Sequence, residues 1–169
     1  FQLAALSEPS PSLDAPLIPA PYSLRHLLQH TPGLREYGGL TAYRDAVARR
    51  DEPWSEDALL AAVRADETLF APGERFAYSN IGYLFVRRLI ERASDLALDE
   101  ALRELVFMPL GLSAIAIAHR PGDLDRTAWG NDDRYHPGWV YHGLAVGTAA
   151  EAALFVYRLL AGGLLSAAT

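Results

Sequence analysis

Tyr78, Ser79 and Asn80 bring a phenol, a hydroxyl and a carboxamide together directly ahead of an apolar run that reads as a helix. Residues two apart do not share a helix face. In an extended segment, alternate side chains point the same way. An extended 78–80 segment therefore sets the Tyr78 phenol beside the Asn80 carboxamide in front of a helix N-terminus. Such a pair can form one wall of an active site. Ser79 points the other way and reads as the cap of that helix. A tyrosine beside a helix start is usually packing, so the pair needs support from the rest of the chain.

The other polar groupings are weaker. His26 and His30 have the i, i+4 spacing of a two-histidine metal site, but no Glu follows His26 as it does in His-Glu-x-x-His. Asp132, Asp133 and His136 read as a solvated acidic loop before they read as a cation site. Ser23 and Ser79 lack a Gly-x-Ser-x-Gly elbow, and both stand where N-caps are expected. Trp129, Tyr135, Trp139 and Tyr141 either line a substrate cleft or pack as an aromatic cluster, packing being the default. These patterns lead us to expect neither a metal nor a cofactor.

The net charge of −6 argues against nucleic acid, which needs a basic face. No apolar run reaches the roughly 20 residues of a membrane span. There is no cysteine, which excludes disulfides and thiolate metal sites. There is also no lysine, since all 15 basic residues are arginine. With half of 169 residues hydrophobic, the chain can bury one core, as one domain or part of one. It opens at Phe1 and its single methionine is Met108, so an upstream signal segment is compatible with it.

Several elements must position the Tyr78–Asn80 segment. Residues 1–22 are a loop-rich lead-in: Phe1–Leu6 reads as the tail of a buried helix, broken by Pro9 and Pro11. Ser23 caps a short helix with Leu24, Leu27 and Leu28 on one face, and Pro32-Gly33 stops it. Thr41 caps a second helix through Arg50. Ser55, with Glu56 and Asp57 in the first turn, opens a third to about Asp66. Pro72-Gly73 marks a turn. The helix from about Ile81 to Ala93 carries one polar stripe (Arg87, Arg88, Glu91 and Arg92), so it reads as largely buried. Leu98–Phe107 reads as a helix stopped near Pro109 and Gly111. Residues 113–147 hold one strand, Ser113–His119, and a surface loop, Asp123–Trp139. Thr148-Ala-Ala-Glu151 is a capping box opening a terminal helix to about Ala161, with Gly162-Gly163 as its stop. The chain reads as a single, mostly α unit in which residues 23–112 carry the Tyr-Ser-Asn segment.

Four stretches occur in order: Ser23-Leu-Arg-His-Leu-Leu-Gln-His-Thr-Pro-Gly-Leu34, Phe70-Ala-Pro-Gly73, Tyr78-Ser-Asn-Ile-Gly-Tyr83 and Val106-Phe-Met-Pro-Leu-Gly-Leu112. Together they resemble the β-lactamase-related serine hydrolases, which include class C β-lactamases, penicillin-binding-protein-like peptidases and esterases. The resemblance runs from about Leu13 to the end of the chain. It implies an α+β fold of the β-lactamase/transpeptidase type, of which this chain is the central, largely helical portion. The antiparallel sheet is then mostly outside it. It also implies a small-molecule or peptide-like amide, ester or β-lactam substrate and an acyl-enzyme formed by a serine. By resemblance, Tyr78 is the general base or proton relay, and Asn80 orients the substrate amide or bonds the catalytic lysine.

The chain departs from that pattern at one point. Without lysine it holds no Ser-x-x-Lys and no Lys-Thr-Gly. The resemblance places the nucleophile helix shortly before Phe1 and the strand motif beyond Thr169. Lowering the affinity of a phenol for its proton takes adjacent cations, so Tyr78 is expected to be unactivated among these residues alone. The expectation is a serine hydrolase of which these 169 residues do not turn over by themselves. The alternative is a degenerate, non-catalytic relative that serves as a binding or assembly domain. Helices that cover a sheet expose apolar faces without it, so self-association is expected of the isolated chain.

Overall fold

The computed structural model describes residues 12–14, 20–128, 130–131, 134–162 and 164. The readings placed on residues 1–6, Trp129, Asp132 and Asp133 lie outside the described residues.

Helix α1 (Leu24–Leu28) starts as its sequence requires. The Ser23 hydroxyl accepts from the His26 backbone N–H, and the His26 ring returns to the Ser23 N–H, closing a capping box. Leu27 is fully buried, but Leu28 turns outward and is exposed. After α1 the chain reverses through Pro32-Gly33. Gly33 has φ +82°, and a Cβ there would stand 2.6 Å from the Phe70 carbonyl oxygen, so only glycine fits.

Helix α2 (Thr41–Ala48) is shorter than its sequence suggests. Leu40, not Thr41, occupies the N-cap position, and no side chain closes that end. Helix α3 (Glu56–Val63) is capped by the Ser55 hydroxyl on the Ala58 N–H and ends at Arg64 in the left-handed region.

Helix α4 (Asn80–Ser94) is the longest element and packs against α1 on one side and α5 (Leu98–Leu102) on the other. Ile81, Gly82 and Leu84 are buried. Its polar stripe holds neighbours in place as well as meeting solvent. Glu56 of α3 takes Arg88 at 2.7 Å, while Arg87 reaches Glu91 at 3.0 Å and the Tyr141 carbonyl at 2.8 Å. Glu91 also accepts from the Leu98 N–H that opens α5.

Helix α5 widens into one π-turn, Arg103–Phe107, before the chain turns at Gly111. Two short strands, β1 (Ala116–Ala118) and β2 (Leu144–Val146), pair antiparallel with Ile117 opposite Ala145. The strand expected over Ser113–His119 is confined to Ala116–Ala118, and its partner β2 is not legible in the sequence. Helix α6 (Ala149–Leu160) starts with the Thr148 hydroxyl on the Glu151 N–H. The Glu151 carboxylate does not complete a capping box. It accepts instead from the Ser113 and Ala114 N–H groups, both at 2.8 Å, and joins α6 to the chain entering β1. None of the residues of α6 is buried.

The segment expected as surface loop is not surface throughout. Pro137–Trp139 forms a 3₁₀ turn, and Trp139 is among the most buried side chains. Its indole N–H donates to the Asp51 carbonyl, and its ring meets Tyr43 and Trp54 edge-on at 5.3 and 5.5 Å. The default reading of the aromatic residues therefore holds for Trp139 and Tyr141, which join Leu27, Leu59, Ile81 and Leu84 in the main core. A second, smaller core gathers Val106, Phe107, Leu110 and Leu112 under α6.

Candidate active site

The segment ahead of α4 is extended, with φ −151° and ψ 121° at Ser79. The Tyr78 hydroxyl accordingly lies beside the Asn80 carboxamide and donates to its Oδ1 at 2.9 Å. Tyr78 is 55% exposed, so the pair faces solvent from the N-terminal tip of a helix whose next turn is anchored in the core.

Ser79 departs from the sequence reading. Its side chain makes no cap bond. It is fully buried, and its hydroxyl donates to the Arg35 carbonyl at 2.9 Å. The end of α4 is closed from outside the helix by Glu36. Glu36 Oε2 accepts from the Asn80 backbone N–H at 2.5 Å, and Oε1 accepts from Asn80 Nδ2 at 3.1 Å and from the Gly38 N–H at 3.0 Å. A carboxylate at that position also faces the positive end of the helix dipole.

His30 holds the same segment from its other side. Its carbonyl accepts from the Ala77 N–H at 2.8 Å and its Nδ1 from the Ser79 N–H at 3.3 Å. As an acceptor, Nδ1 carries no proton, so in the neutral ring the proton is on Nε2. The imidazole packs between Tyr78 and Tyr83, with ring centroids at 4.5 and 5.1 Å, and Phe76 approaches edge-on. His26 serves the α1 cap, so the two histidines are engaged in separate structural tasks. His136 accepts from the Gly138 N–H through Nδ1.

Two stretches of sequence that are remote along the chain are thus bound into one unit. Residues 30–36 present a carbonyl, an imidazole, a second carbonyl and a carboxylate to residues 77–80. No local pattern points to Glu36, and His30 stands out in the sequence only through its spacing from His26. Their partners lie more than 40 residues away, beyond the reach of any local pattern.

The cation that could act on Tyr78 is not supplied by Arg75, whose guanidinium lies over the Phe70 ring at 4.6 Å. Arg35 turns its guanidinium toward Glu67. Of the aromatic residues weighed as a cleft, Tyr141 lines a hollow of about 270 Å³ with Trp54, Arg87, Glu91 and His119, and neither Tyr78 nor Asn80 is part of its wall. Its own hydroxyl donates to the Trp54 carbonyl, and burial pushes its pKa up to about 12. Burial raises Tyr37 and Tyr43 further still, because desolvation disfavours a phenolate in the packed interior.

The chain has known relatives. The sequence model of the Beta-lactamase family matches residues 12–169. Penicillin-binding protein 4* of Bacillus subtilis is 29% identical over 165 residues, which cover 83% of this chain and 34% of that protein. A D-aminopeptidase of Cereibacter sphaeroides is 30% identical over 134 residues, 79% of this chain and 22% of the relative. In structure, the D-amino acid amidase of Ochrobactrum anthropi SV3 superposes with a TM-score of 0.75 at 22% identity, over 92% of this chain and 50% of that one. The chain belongs to the Beta-lactamase family. Its helical body with a small antiparallel sheet is part of a β-lactamase-like fold, and it spans about a third or less of the length of these curated relatives.

Proposed function

We propose that the intact protein is a serine hydrolase that opens an amide, ester or β-lactam carbonyl through an acyl-enzyme, with Tyr78 and Asn80 in its active site. The observation that carries this reading is the Tyr78–Asn80 pair, solvent-facing and held in front of α4 by His30 and Glu36. Tyr78 manages a proton of the nucleophile or leaving group, and Asn80 orients the substrate carbonyl or amide.

The nucleophile and the lysine that supports it are not among the 169 residues, which contain no lysine at all. These residues by themselves are therefore inactive. The family's larger sheet, like its Ser-x-x-Lys and its strand motif, belongs to sequence outside them. The D-aminopeptidase and D-amino acid amidase among the relatives make amides of D-amino acids the first substrates to screen.

The absence of lysine also favours a second reading, a non-catalytic relative that binds or assembles. One experiment separates the two. The intact protein is treated with a serine-directed acylating probe and digested, and the adduct is mapped by mass spectrometry. A single labelled serine followed three residues later by lysine supports the hydrolase. No adduct on the folded protein leaves the binding reading.

A further inference from the structure

Glu36 offers two oxygens to three N–H groups: the backbone of Asn80, the backbone of Gly38 and the carboxamide nitrogen of Asn80. An ionised carboxylate only accepts hydrogen bonds, so whichever end of the Asn80 carboxamide faces it must be the donor. Turning the amide over would bring two acceptor oxygens to about the 3.1 Å now spanned by Nδ2 and Oε1. Nδ2 is therefore fixed toward Glu36 and Oδ1 toward Tyr78. Oδ1 is in turn only an acceptor, so the Tyr78 hydroxyl must donate across the 2.9 Å between them.

We propose that Glu36 is a positioning residue that sets the direction of the Tyr78–Asn80 hydrogen bond, with the phenol as donor and the carboxamide oxygen as acceptor. For Tyr78 to act as a base, its proton must first leave. A phenolate would then face the Oδ1 lone pairs unless the carboxamide turned over, and turning it breaks the Nδ2 contact with Glu36. A cation brought against the phenol is the remaining way to offset that repulsion. The polarity thus runs from the carboxylate, through one amide, to the phenol. This inference rests on Tyr78 and Asn80 being the site pair, but its test reads geometry and needs no turnover.

The test is nuclear Overhauser spectroscopy on the intact, ¹⁵N-labelled protein. The Asn80 carboxamide protons should show strong contacts to the Glu36 γ protons and weak or no contacts to the Tyr78 ε ring protons. The near-isosteric Glu36→Met removes both acceptors. It should gain strong Asn80-to-Tyr78 ring contacts, and solvent exchange of the Asn80 carboxamide protons should rise by about tenfold or more. Strong Asn80-to-Tyr78 contacts in the unaltered protein would overturn the proposal. So would a folded Glu36→Met protein whose contacts and exchange do not change. Should Glu36→Met fail to fold, the contacts in the unaltered protein decide. Failure of the serine probe to label the protein would bear on the proposed reaction and leave this result untouched.

Discussion

Glu36 and Asn80 stand 44 residues apart in sequence and are joined twice, once through the Asn80 backbone N–H and once through its side chain. The double contact gives α4 an external cap and leaves the Asn80 carboxamide a single orientation. Because Tyr78 bonds the free end of that carboxamide, the three residues act as one positioned group.

Tyr78→Phe removes one hydroxyl from an exposed ring and leaves its packing on His30 in place. In the intact protein, kcat/KM toward a carbonyl substrate should fall by about 10²–10⁴, with little change in Tm. Unchanged turnover would remove Tyr78 from the mechanism.

Ser79→Ala separates structure from catalysis at the serine nearest the site. The Arg35 carbonyl loses its buried donor, so stability should fall by about 1–3 kcal/mol in urea unfolding. Labelling of the intact protein by the serine-directed probe should persist, because Ser79 points into the core. Loss of the adduct from a folded Ser79→Ala protein would make Ser79 the nucleophile.

His142 gives stability a pH dependence. Burial pushes its pKa below the ordinary imidazole value, and the Glu36 charge opposes that only in part. The unfolded chain then takes up a proton at a higher pH than the folded one. Stability should be fully present above about pH 6.5 and decline below it, down to the folded-state pKa. The urea midpoint measured between pH 8 and 5 should show the decline, and His142→Phe should flatten it, since buried Nδ1 has no partner to lose. A decline of equal size in His142→Phe would assign it to other groups.

The 169 residues expressed alone should self-associate through α6, where Val156, Tyr157 and Leu160 are exposed and Leu160 is 81% so. Val156 and Leu160 are four apart and share a face. Light scattering should report more than one copy, and Val156→Glu with Leu160→Glu should return a monomer. A monomer before substitution would contradict the expectation.

Local chemistry made several elements readable in the sequence. Ser23, Ser55 and Thr148 each cap the helix expected of them, because an N-cap needs only a side-chain oxygen and an N–H two or three residues on. The same rule failed at Ser79 and Thr41. Ser79 found a buried carbonyl 44 residues away, and the N-cap of α2 falls one residue earlier than expected, at Leu40. The turn residues around Trp139 read as a polar loop and hide its packing. Its burial depends on Asp51, Tyr43 and Trp54, which no local window contains.

The sequence by itself determined which side chains an extended 78–80 segment brings together, the positions of the main helices and the family resemblance. All three follow from residue types within a few positions of one another, where backbone alternation and capping act directly. Only the tertiary structure decided that Glu36 and His30 hold that pair and that Ser79 is buried. Those outcomes depend on which carbonyls, carboxylates and apolar faces meet when distant segments pack. A hydrogen bond spanning 44 residues leaves no trace in the local order of the chain.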